Sequence, residues 1–177
     1  RFDKNLLRFV MSNSVLAGVQ QSIMNFGILM IQGLVNSFGV AATAAFAAVV
    51  KIDAFAYMPA QDFGNAFSTF VAQNYGAGQY TRIRRGTRAS AVLLSAFCAA
   101  ASLAVCVFAR PLMLLFVQPS ETEIIRIGMQ YLRIEGACYI GIGLLFLYYG
   151  FFRGLGKGQM SIVLTVVSLG TRVLLAF

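Results

Sequence analysis

An all-α membrane protein, a polytopic helical bundle of about five transmembrane helices, is the fold class this sequence predicts, and three observations predict it. Of 177 residues, 59% are hydrophobic and 11% charged, at a mean hydropathy of +0.76, whereas a soluble domain is about half apolar and roughly a quarter charged. Apolar runs such as Ala89 to Ala109 pass without a charge until Arg110, and a helix crossing the hydrocarbon core needs about 20 such residues. Most of the basic residues gather between these runs, without the interleaved aromatic platform that single-strand binders use. They read as topology signals, and nucleic acid is not expected as a partner.

Five spans follow in order. The first covers about 14–38 and ends at Gly39. The second covers about 40–72 and is longer than a perpendicular crossing requires; Pro59 inside it removes a backbone hydrogen bond, which predicts a tilt or a kink. Residues Tyr75 to Arg88 read as a Gly-rich basic loop, in which Gly76 to Gly78 terminate the preceding helix and the arginines sit near its carbonyl end. The third span covers about 89–109, an extramembrane stretch runs from Arg110 to Glu123, and the fourth span covers about 124–152. A turn from Gly154 to Gln159 leads into the fifth, about 160–177, which is still apolar at Phe177. The chain starts at Arg1 without Met and its first apolar span is too long for a signal-peptide core, so it reads as a piece of something longer.

Short connections make neighbouring helices antiparallel, which sorts the cations by side. Arg1, Lys4, Arg8, Arg82, Arg84, Arg85, Arg88, Arg153 and Lys157 fall on one side, and Arg110, Arg126 and Arg133 on the other. The richer side is expected to be cytoplasmic. Lys51 and Arg172 fall inside apolar spans and are functional candidates by default.

Metal and covalent chemistry have little to work with. Cys98, Cys106 and Cys138 lie in apolar stretches without ligand spacing, and the chain has no His. Neither a disulfide nor a metal centre nor another cofactor is expected. No nucleophile and base pair is recognisable, and Gly76 to Gly78 lack the strand and spacing of a phosphate loop, so an enzyme is not expected.

Polarity inside the spans is more informative. On a 3.6-residue helix Ser14, Gln21, Asn25, Gln32 and Asn36 fall within about 60° of one another. Lipid cannot satisfy such a stripe, so it is expected to face other helices or a cavity contacting a small-molecule substrate. The second span places Asp53, Tyr57, Gln61, Gly64 and Ser68 within about 80°, with Asp53 close to its middle. Lys51 points away from Asp53 on the same helix, since residues two apart do not face each other. Asp53 is therefore the leading candidate for a coupling-ion site, against the alternative of a structural pair with a neighbouring helix. Asp62 lies on the other face and reads as structural or interfacial. Glu135 and Arg133 sit towards the outer end of the fourth span, where Glu135 is a further candidate; Tyr139 and Tyr148 read as packing or interface aromatics. Glycines 128, 136, 141, 143 and 150 permit close helix approach there.

Certain motifs are specific enough to point to a family. Gln73-Asn74-Tyr75-Gly76-Ala77-Gly78, followed by the basic run Arg82 to Arg88, resembles the signature closing the eighth helix of multidrug and toxic compound extrusion transporters. Gln20-Gln21-Ser22, Val35-Asn36-Ser37-Phe38-Gly39 and Ala44-Ala45-Phe46 resemble that family's seventh helix and its turn into the eighth. Arg153-Gly154-Leu155-Gly156-Lys157 resembles the turn after the tenth, and Thr171-Arg172 the eleventh. The resemblance implies twelve helices in two six-helix lobes, with residues 1–177 a partial second lobe comprising helices seven to eleven. It implies antiport of organic cations or amphipathic drugs against protons or sodium ions, in a bacterial plasma membrane. Partners would be the substrate, membrane lipid and the first lobe of the same chain, without which no transport is expected. Some branches carry a glutamate on the seventh helix for cation coupling; Gln20, Gln21 and Asn25 stand here instead, which shifts weight to Asp53 or to the other lobe. Two competing readings are a lipid-linked oligosaccharide flippase of the same superfamily, which wants more cavity cations than Lys51 and Arg172, and a non-transporting membrane scaffold, which fits the composition but not two polar stripes on adjacent helices.

Overall fold

A computed structural model describes the backbone of residues 4–176, and their side chains except those of Asn5, Leu6, Phe9, Asn13 and residues 172–176. Arg1 and the side chain of Arg172 lie outside the described residues. Every regular element described is an α-helix: α1 (Lys4–Asn36), α2 (Val40–Gly76), α3 (Tyr80–Val107), α4 (Ala109–Leu114), α5 (Thr122–Ala137), α6 (Tyr139–Gly154) and α7 (Gly158–Ala176).

Three of these are long and apolar enough to cross a membrane on their own: residues Val10–Asn36 of α1, α2 and α3. The expected fourth span is not one rod. It consists of α5 and α6, bent by 50° at Cys138, and the pair together qualifies as a crossing. At the break the Cys138 N–H donates to Glu135 O at 2.9 Å, so the hydrogen-bond ladder shortens locally from i−4 to i−3 and turns the axis. The fifth span corresponds to α7, whose described apolar run, Gly158–Thr171, is shorter.

Other boundaries also differ from the sequence expectation. Residues 75–88 are not a loop. Helix α2 continues to Gly76 and α3 starts at Tyr80, so Arg82, Arg84, Arg85 and Arg88 stand exposed on the first turns of α3. Gly78, at φ 69°, performs the reversal: its N–H donates to Tyr75 O and the next N–H, of Gln79, to Asn74 O at 2.8 Å. That is the pattern a left-handed residue makes at a helix end, where a Cβ is unfavourable. Gly156, at φ 73°, repeats it after α6, with the Lys157 N–H reaching Phe152 O at 2.9 Å. The stretch after Arg110 includes α4, and Met113 in it is fully buried against the bundle, because its side chain fills the space beside Gly128 of α5. Pro59 does not interrupt α2, which runs as a single helix through it.

The core is organised on α2 and α6, the most extensive helix pair. They run parallel, since Asp53 meets Tyr139, Gly64 meets Phe146 and Gly150, and Ser68 meets Gly154. A Cβ on Gly150 would strike the Gly64 carbonyl, and one on Gly64 would lie 2.6 Å from the Phe146 carbonyl. Only glycines let these two backbones approach so closely, as small residues do where helices associate in lipid. Helices α1 and α7 are also parallel, joined by Gln20 with Thr165 and by Gly27 under Leu169. These directions gather Arg8, Arg82 to Arg88, Arg153 and Lys157 at one end of the bundle, here called the basic end.

Candidate functional site

Helix α2 turns its predicted stripe towards α6, and along that contact the structure builds two polar clusters. The first lies towards the end remote from the basic one. The Asp53 carboxylate accepts a hydrogen bond from the Tyr139 hydroxyl. Tyr139, only 5% exposed, is the first residue of α6 and stands just past the α5–α6 break. A buried phenol needs a polar partner, and the bend supplies one by carrying the ring across to α2. Glu135, half-buried in the last turn of α5, shares the neighbourhood: both carboxylates act electrostatically on the Tyr139 hydroxyl. Lys51 does point elsewhere, with its Nζ 5.8 Å from the centre of the Phe116 ring just beyond α4. Asp62 is exposed on the other face of α2, and Tyr148 is half exposed on α6.

An aromatic layer separates this cluster from the second. Tyr57 meets Phe146 edge to face at 5.0 Å between ring centres, and Phe146 meets Tyr149 at 5.9 Å in the same manner. Such edge-to-face pairs are favourable beyond their area burial.

The second cluster is a cavity of 170 Å³ between α1, α2 and α6, nearer the basic end; its polar lining is Gln20, Gln21, Gln61, Asn65, Tyr149 and Arg153. Arg153 donates from Nη1 to Asn65 Oδ1 at 3.0 Å. Gln20, 5% exposed, donates to Thr165 Oγ1 at 3.1 Å, Thr165 donates to Ser161 O at 2.9 Å, and Ser161 donates to Tyr149 O at 3.2 Å. This chain ties α1 to α7 and α7 to α6, and satisfies polar groups that hydrocarbon cannot.

The α1 stripe is placed differently from α2's. Ser14, Gln21, Asn25, Gln32 and Asn36 lie on the exposed side of α1, with Gln20 turned inwards in their stead. Gln21 rims the cavity and donates to Asn25 at 3.5 Å, while Asn36 accepts from Thr43 at 3.2 Å across the α1–α2 turn. Of the residues the sequence singled out, Asp53 and Glu135 belong to the first cluster, Tyr57 to the aromatic layer, and Gln21 and Gln61 to the second cluster. Asn25, Gln32 and Asn36 join neither. Sequence reasoning missed Asn65, Arg153 and Thr165, and assigned Tyr139 to packing. The available signal was the four-residue step from Glu135 to Tyr139, which on an unbroken helix would put both on one face.

A family model described as MatE matches residues 17–177, a stretch that includes both clusters. The chain belongs to the MatE family. Among curated relatives, the MatE chain is 28% identical over 152 residues to the probable multidrug resistance protein YpnP of Bacillus subtilis, covering 86% of this chain and 34% of that protein. It is also 28% identical over 122 residues to the probable multidrug resistance protein YoeA of the same organism, covering 69% of this chain and 26% of that one. The MatE chain thus spans about a third of the length of the first relative and about a quarter of the second. With its membrane-crossing helices, it is part of a multi-pass membrane protein.

Proposed function

We propose that this chain is part of one lobe of a secondary antiporter that expels organic cations or other amphipathic small molecules in exchange for protons or sodium ions. The observation that carries the reading is the Asp53–Tyr139 hydrogen bond at a broken membrane helix, with Glu135 beside it. Carboxylates inside membrane spans are costly and mark ion pathways, and interrupted helices commonly frame the ion sites of transporters. When a proton or sodium ion engages Asp53, the carboxylate ceases to be a bare acceptor for the Tyr139 hydroxyl. The cation therefore acts directly on the contact that holds α2 to the α5–α6 break, and it biases whichever arrangement of the break it binds better. The names of the two Bacillus relatives, both multidrug resistance proteins, support small-molecule export.

The exposed stripe Gln21, Asn25, Gln32 and Asn36 would face the other lobe and line the cleft where substrate passes, which satisfies amides that lipid leaves unpaired. The basic end is the cytoplasmic one, by the excess of Arg and Lys gathered there, and the setting is a bacterial plasma membrane. Asp53→Asn keeps the side-chain shape and removes the charge. In vesicles containing the complete parent protein, with imposed proton and sodium gradients, this variant is expected to reach normal membrane levels and to lose efflux of a fluorescent organic cation. Full efflux with normal ion dependence would overturn the reading.

A further inference from the structure

We propose that the cavity between α1, α2 and α6 is a binding site for a single anionic oxygen group, a carboxylate or phosphate, held by Arg153. Four observations converge on this chemistry. The cavity lining contains one cation, Arg153, and no carboxylate. Among the described residues no ion pair to Arg153 is found; its Nη1 donates instead to the neutral Asn65 amide at 3.0 Å. That bond holds the guanidinium at the cavity wall while leaving it further N–H groups in a planar fork, the arrangement that receives carboxylate and phosphate oxygens in pairs. Gln61 stands one turn before Asn65 on α2, and its amide adds donors of the same polarity.

Position and size narrow the ligand. Arg153 stands in the last turn of α6 at the basic end, half-buried, with its guanidinium at the cavity wall against Asn65 of α2. The cavity volume of 170 Å³ is close to that of cavities about 150 Å³ in size that accept benzene, so the site admits a carboxylate on one ring but not a large drug. Its apolar walls, Met24 and Phe146, suit such a ring. Gln21 on the rim is exposed, so entry is from the face of α1 that carries the polar stripe. The same anionic chemistry could arrive on a free amphipathic acid or on a phospholipid headgroup. Binding here does not depend on the exchange mechanism proposed above, because it is read without any ion gradient.

The test is equilibrium dialysis of radiolabelled benzoate against the complete parent protein in a nonionic detergent, with unlabelled benzamide and phosphatidylglycerol as competitors. Saturable benzoate binding that benzamide does not displace, and that R153Q weakens by at least about tenfold, is the expected result. Displacement by phosphatidylglycerol identifies a lipid headgroup as the membrane occupant, and its failure to displace identifies a free acid; each supports the anion site. Gln61→Glu, which places a carboxylate in the cavity with the guanidinium, is expected to abolish benzoate binding and serves if R153Q does not fold. Absence of saturable binding, equal competition by benzamide, or wild-type affinity in a folded R153Q or Q61E variant would overturn the proposal.

Discussion

The two polar clusters on α2 share a helix face but are built in opposite ways. Asp53 and Asn65 are separated by about 18 Å along the axis, and between them lie the edge-to-face rings of Tyr57, Phe146 and Tyr149. The remote cluster is acidic: Asp53 accepts from the Tyr139 phenol at a break in the backbone, and Glu135 acts on that phenol through its charge. The cluster near the basic end carries Arg153 among amides, between helices that remain regular. At that separation Arg153 cannot form a salt bridge with Asp53. Their separation teaches that one helical stripe carries two polar clusters of opposite sign, set apart by an aromatic layer.

The strongest way to break this comparison is to remove the contact on which both clusters depend. Gly150→Leu drives a side chain into the Gly64 carbonyl, and neither backbone can yield without separating α2 from α6. A loss of about 3 kcal/mol or more is expected, visible as a collapse of the detergent melting temperature and of folded yield. A normal melt would show that the close approach is dispensable and that the clusters are positioned independently.

Tyr139→Phe reaches the remote cluster alone. It removes the hydroxyl that Asp53 accepts from and leaves the ring in place, at an expected cost of about 1–3 kcal/mol for a charged acceptor deprived of its donor. In vesicles of the parent protein its efflux should respond differently to the imposed ion gradients, while benzoate binding at Arg153 stays as in the wild type. A parallel change in benzoate binding would show that the aromatic layer couples the two sites instead of separating them.

Thr165→Val tests the other side. Gln20 loses its partner in a nearly dry position, and a destabilisation of about 1–2 kcal/mol is expected from one unsatisfied buried amide, with the ion dependence of efflux unaltered. An altered ion dependence would mean that the α1–α7 contact also reports to Asp53. The smallest effect is expected for Phe116→Ala, which deprives exposed Lys51 of its ring at about 0.5 kcal/mol. A much larger loss would make Lys51 part of the remote cluster.

Much of this was legible from residue types. The apolar runs pointed to the segments that form α1, α2, α3 and α7, but α1 extends back to Lys4, and the first turns of α3 were hidden because four arginines read as a loop. Those arginines are compatible with a helix when it begins at the membrane surface, where their heads reach water. The bend at Cys138 was not legible: no proline marks it, and Gly136 next to it resembles the other glycines of that span.

What the sequence determined by itself are properties that reside within a single segment. They include the membrane-helical class, the turn glycines Gly78 and Gly156, the excess of cations at one end, and the α2 face that carries Asp53, Tyr57 and Gln61. Only the tertiary structure decided which face meets which neighbour. Gln20 and Gln21 are adjacent and chemically identical, and one step of about 100° around the axis places the first inside against Thr165 and the second outside at the cavity rim. The same holds for Asp53, whose partner Tyr139 comes from a helix that follows a bend. Helical periodicity sets angles about one axis, whereas partners are selected where backbones can approach, and here Gly64 and Gly150 set that approach from two segments remote in the chain.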